Sequence, residues 1–275
     1  MVKCSRKSVS LSDLWVSSHE RVSDFYASAW QSGDSPVALL CVRAVTLAAA
    51  LAILGWSVYE GRNLYWLVYL TNWGLVLVSA MLLSGLVVSI VAMCKRPPDV
   101  GELPWYVSMY WFFYNVAVSM ALVITALYWI LLYNPEMYKE MDARMFWLDV
   151  MTHGVNSCLA MVEVLAARTP VRLFHVYQPL GCGLWYAIFT LIYYAAGGTD
   201  GNGFPFIYEV LDWRQGKRTS GVVAAAAGGL IIVYFLVCGL AFCRDKFTAF
   251  LFRTTSVTFT DASTDAPFPG PDNWV

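Results

Sequence analysis

The chain predicts an all-α membrane bundle of about six spanning helices with both termini cytosolic, and three observations lead there. Hydrophobic residues make up 59% of the 275 positions and charged residues 13%, about half the charged share of an ordinary soluble domain. Mean hydropathy is +0.56. Several runs of about eighteen residues or more carry at most one charge, enough to cross a hydrocarbon core ~30 Å thick. The alternation of a β-barrel is absent, and the first thirty or so residues lack the apolar stretch of a cleavable leader.

The elements follow in order. Residues 1–36 read as a polar cytosolic arm, whose aromatic piece "DFYASAWQ" is expected at the membrane surface. Spanning helices are expected at 37–58, 64–93, 105–133, 146–166, 173–196 and 221–243, within a transmembrane domain of residues 37–245. Tyr65, Trp66, Trp105 and Tyr106 supply aromatic belts at their ends. Residues 246–275, rich in Thr, Ser, Pro and Asp, read as a disordered cytosolic tail. Between the last two helices lies the longest outer loop, "GGTDGNGFPFIYEVLDW", residues 197–213. Asp200 and Asn202 there lack calcium-loop spacing and read as turn formers.

Orientation comes from lysine and arginine. With both termini inside, twelve fall on cytosolic segments (Arg43 counted among them) and six on outer ones, which satisfies the positive-inside rule. A net charge of −1 offers no nucleic-acid surface. None of the seven cysteines lies in an outer loop, so no disulfide framework is expected. Cys4, Cys94 and Cys243 lie near the cytosolic boundary, where S-acylation or free thiols are equally in keeping with the sequence.

Polar residues within the spans are costly and face other helices or a cavity. The fourth helix concentrates them: Asp149, His153, Asn156 and Glu163 share one face. In the second helix, "YLTNWG" places Thr71 and Asn72 in apolar surroundings. Thr71 and His153 each lie seven residues from the outer start of their helix, roughly 10 Å deep at ~1.5 Å per residue. Two readings stay open. In one, His153 activates the Thr71 hydroxyl toward a lipid ester, Asp149 orients the imidazole, and Asn72 or Asn156 steadies the oxyanion. In the other, Thr71 bonds its own helix, His153 bridges to Asp149 or Asn72, and Asn72 is interhelical glue. Glu163 is expected to pair with Arg172 or His175, and Asn115 and Gln178 are candidates to line a pathway. Histidine placement suits no metal site, and no cofactor is expected. Gly74 permits close helix approach.

"YLTNWG", "THGVNSCLAMVEVL", "PVRLFH" and "YYAAGGTDGNGFPFIYEVLDW" together resemble the rolling stone family of multipass membrane proteins, over roughly residues 20–245. The resemblance implies plasma-membrane residence and a role in myoblast or cell–cell fusion. If the bundle is instead a non-enzymatic adhesion or fusion factor, loop 197–213 is expected to contact a protein partner, beside the membrane lipids themselves. A more distant likeness is to the androgen-induced transmembrane hydrolases, threonine enzymes that cleave fatty acid esters of hydroxy fatty acids. Carried over, it makes Thr71 the nucleophile and His153 its base, although Asn156 stands where that family has a second histidine.

Overall fold

The computed structural model describes residues 14–61, 64–95, 97 and 102–264; Cys4 and the tail beyond Thr264 lie outside them. Among the described residues the chain is built of helices: α1 (Val37–Glu60), α2 (Leu70–Cys94), α3 (Trp105–Leu127), α4 (Pro135–Glu140), α5 (Ala143–Val150), α6 (Asn156–Ala166), α7 (Tyr177–Ala195) and α8 (Gly216–Thr264). α3 ends in a π-helical turn, Tyr128–Leu132, and a second one, Met151–Val155, joins α5 to α6 in a continuous helical column. All six expected helical columns form.

Four segments are long and apolar enough to cross a membrane: Val37–Glu60, Leu70–Cys94, Trp105–Leu132 and Trp213–Phe252. The α5–α6 column and α7 pack among them, carrying the polar residues that dilute their hydropathy. The chain is a multi-pass membrane protein.

Packing follows side-chain size. Tyr110, Tyr114, Met81 and Leu82 lie buried around the α2–α3 contact, and Trp111 is buried against Phe25 of the arm and His175. Gly74 allows close approach there, since a Cβ on it would sit 2.7 Å from Ile124 Cδ1. Gly85 does the same lower down, where a Cβ would stand 2.9 Å from Tyr110 and 3.0 Å from the Arg43 guanidinium.

Two expectations change. The aromatic arm is not a loose surface segment but plugs one end of the bundle, with Phe25 and Ala27 fully buried. The Ala29 N–H donates to Ala166 O at 2.7 Å, and the Leu103 N–H to Ser17 O at 2.8 Å. Arg168 grips the Ser28, Gln31 and Gly33 carbonyls together with Asp34, while the Trp30 indole donates to Leu165 O at 2.8 Å. Short β-like bridges need only backbone partners, which hydropathy does not reveal. The last helix, moreover, does not stop near residue 243. It runs 49 residues, ~74 Å at ~1.5 Å per residue, because "DKFTAFLF" continues the helical pattern. The first part of the expected tail is therefore helix.

The bundle has an arm end, plugged by residues 14–36, and a loop end, which carries residues 197–215.

Candidate functional site at the loop end

At the loop end the expected site residues disperse among separate partners. Asn72 turns toward α1. Its amide donates to Trp66 O at 2.6 Å, and its Oδ1 accepts from Ser57 Oγ at 3.3 Å. The Trp66 indole closes the cluster on Ser57 at 3.0 Å. Asn72 is thus interhelical glue, its amide committed away from any oxyanion.

Thr71, the next residue back, faces the opposite way. Its side chain lies beside Tyr208, as does that of Tyr186. Tyr208 also accepts the Leu70 N–H at 3.0 Å, which satisfies one of the donors a helix start leaves without an intrahelical partner. Tyr186 in turn donates to Val68 O at 2.8 Å. The three hydroxyls, from α2, α7 and the loop, gather in one half-buried knot, and burial pushes the Tyr208 phenol up to about 12.

His153 belongs to a second cluster. Its Nε2 lies 3.5 Å from Asp149 Oδ1, and its ring stacks on Tyr128 with centroids 3.5 Å apart and planes 6° from parallel. Tyr128 donates to the other Asp149 oxygen and meets the Tyr138 hydroxyl at 2.8 Å. The stacked pair brings the two π-helical turns face to face; such turns recur at functional sites. His153 Nδ1 is buried without a hydrogen-bond partner. Asn156 is buried at the start of α6.

Asp149 and His153 therefore meet as expected, but Thr71 and His153 are held by different partners. Tyr128 is the element they share: it stacks on His153 and also forms part of the wall of an apolar cavity that Thr71 lines. The cavity, about 120 Å³, lies between α3, α7 and α8, with Tyr208, Val210 and Leu211 over its loop end.

The loop itself is a built structure. Asp200 Oδ1 accepts the N–H groups of Asn202 at 2.9 Å and Phe204 at 2.8 Å, and Gly197 and Gly203 adopt φ of 78° and 86°, a region glycine enters without strain. The turn role expected of Asp200 is observed. The Trp213 indole donates to Thr190 Oγ1 at 3.1 Å, and the Tyr193 hydroxyl to Thr199 O at 2.8 Å. Phe204 remains 54% exposed.

Glu163 lies far from these groups, at the arm end, and its partner is not Arg172 or His175. Arg43, fully buried, donates to Glu163 Oε1 from Nε at 2.9 Å and from Nη2 at 2.7 Å. The Tyr110 hydroxyl donates to the same oxygen at 2.6 Å and contacts Thr169 Oγ1 at 2.9 Å. Arg43 Nη1 reaches Phe25 O, Gly85 O and Ser89 Oγ at 3.0, 2.8 and 2.7 Å. The correction has a simple cause: α1 packs on α6 at that level, whereas Arg172 stacks on Trp111 at 4.6 Å and His175 meets the Asn115 amide at 3.0 Å. That amide also donates to Gln178 at 3.0 Å, so Asn115 and Gln178 form a packed cluster. The available signal was Arg43 itself, a charge six residues into an apolar run. Tyr128, Tyr186 and Tyr208 carried no such signal, since tyrosine is common at membrane interfaces.

A family model described as "Protein rolling stone" matches residues 2–265 of the chain. Protein rolling stone of Drosophila melanogaster is 30% identical over 213 residues, which cover 73% of this chain and 75% of that protein. No solved structure matches. The chain belongs to the rolling stone family.

Proposed function

We propose that this protein serves cell–cell fusion at the plasma membrane as a non-enzymatic adhesion and fusion factor, with loop 197–213 as its contact surface toward a protein on the facing membrane. The observation that carries this reading is the loop, which is folded firmly onto the bundle and presents Phe204 outward. Asp200 holds the turn, Trp213 and Tyr208 anchor its far end, and Phe204 stacks on Phe206 with centroids 5.5 Å apart. Because Ile207 is buried and Tyr208 and Trp213 are structural anchors, Phe204 is the side chain free to meet a partner. In a content-mixing assay between cells expressing the chain, Phe204→Ser lowers fusion at unchanged surface level, and Thr71→Ala leaves it unchanged. Fusion that survives Phe204→Ser but is lost in Thr71→Ala overturns the proposal.

A second reading has its own observation: the Thr71 hydroxyl lines an apolar cavity shaped for an oily substrate. As an intramembrane hydrolase of lipid esters, the protein would use Thr71 to attack the ester carbonyl while His153 takes its proton and returns it to the departing alcohol, and water would then release the acid from Thr71. That chemistry requires Thr71 to leave Tyr208 and His153 to approach it. A fluorophosphonate probe would then label the purified protein, and Thr71→Ala would abolish the labelling; equal labelling of both removes this reading.

A further inference from the structure

From the cavity between α3, α7 and α8, we infer a binding site for one acyl chain of a bilayer phospholipid, entering sideways from the leaflet at the loop end. Its walls are apolar side chains, among them Val123 and Leu127 from α3, Leu180 from α7, and Val223 and Leu230 from α8. Hydroxyls sit only toward the loop end, on Thr71, Tyr128, Tyr186 and Tyr208. One end thus suits the ester region of a lipid and the rest suits hydrocarbon.

Size and position select the occupant. The lining runs along α3 from Met120 to Leu132, twelve residues or ~18 Å at ~1.5 Å per residue. One leaflet of a ~30 Å core is ~15 Å deep, so an acyl chain lying parallel to its neighbours matches the cavity end to end. Two lining residues, Leu131 and Leu184, are also exposed on the bundle surface, 45% and 44% respectively, and they mark the rim that bilayer lipid reaches. The room comes from small side chains: Ala226 and Ala227 face it from α8, and Gly183 from α7. Water gains no partners against such walls, and an empty space would forfeit the dispersion contacts of its whole lining. A chain already present in the surrounding leaflet fills it at little cost. The inference stands whether or not Thr71 reacts with anything.

The test uses the full chain in phosphatidylcholine nanodiscs doped with a phosphatidylcholine that carries a diazirine on one acyl chain. After irradiation, adducts are mapped by mass spectrometry. Expected is labelling of the Leu180–Ala187 and Val222–Leu230 stretches about ten-fold above that of Val45 and Leu51, exposed on α1, the ratio set by ~1.4 kcal/mol of preference. Ala227→Phe, which fills the cavity, should return the wall labelling to the α1 level while α1 labelling holds. Even labelling across the bundle overturns the proposal, as does wall labelling that persists in a folded Ala227→Phe protein. Should that variant fail to fold, the parent map alone decides. A parallel arm with a diazirine free fatty acid tests the source: wall labelling by the free acid and not by the phospholipid also overturns it.

Discussion

The arm end and the loop end of this bundle solve the same problem in opposite ways. At the arm end a full charge pair, a tyrosine, two further hydroxyls and two backbone carbonyls meet with all but one buried carboxylate oxygen bonded. An N-terminal plug closes the space around them. At the loop end the helices part around an apolar cavity, and the polar groups retreat to a hydroxyl knot and an Asp–Tyr–His cluster beside it. The contrast teaches that the two halves serve different ends: charge fixes one geometrically, and the other is left hollow so that something can enter.

The sharpest way to break this contrast is to cut the charge pair. Glu163→Leu leaves Arg43 buried and uncompensated, a loss of ~3–5 kcal/mol, and should show as collapse of the thermal unfolding midpoint in detergent. Arg43→Met combined with Glu163→Leu should recover most of the loss, because neither charge is then stranded; a double variant as unstable as the single one would deny the pair its role. Next in size is the plug. Arg168→Ala removes the guanidinium that holds the Ser28, Gln31 and Gly33 carbonyls, a loss of ~1–3 kcal/mol, and should speed hydrogen exchange across residues 22–36 while leaving the loop end protected. Smaller still is Tyr208→Phe, which removes one member of the hydroxyl knot for ~1 kcal/mol and should loosen loop 197–213 with little change in the midpoint.

The smallest effect is a pH dependence confined to the loop end. Hydrogen bonds from Arg214 hold the Asp212 carboxyl below the usual carboxylate range. Its contribution is fully present above the unfolded value of ~3.9 and is lost as pH falls through the lower folded value. Exchange at the junction of the loop with α8 should therefore rise below about pH 4, and Asp212→Asn should flatten that response.

Legibility in the sequence followed the range of the interaction. The helical columns were readable because hydropathy is a local property summed over a window. Gly74 and the Asp200 turn were readable because a missing Cβ and an Asx turn act within a few residues. The Asp149–His153 contact was readable from four-residue spacing on one helix. The partner of Glu163 was not, since Arg43 lies 120 positions away and three basic or imidazole side chains stood at a plausible level. The plug was not legible for a like reason: aromatics suit an interface and a buried plug equally, and only the helices' spacing at that end buries Phe25 and Ala27. Matching depth made Thr71 and His153 look like a pair, but depth fixes one coordinate, and rotation of each helix about its axis fixes the other.

By itself, then, the sequence determined that this chain is a helical membrane bundle, which stretches span or pack within it, and which residues are too polar to face lipid. Those are consequences of transfer free energy and helical period, and both act locally. Only the tertiary structure decided which polar groups meet. Helix rotation and close approach join Arg43 to Glu163, set Thr71 beside Tyr208 and His153 beside Tyr128, and leave small residues opposite one another so that a cavity remains.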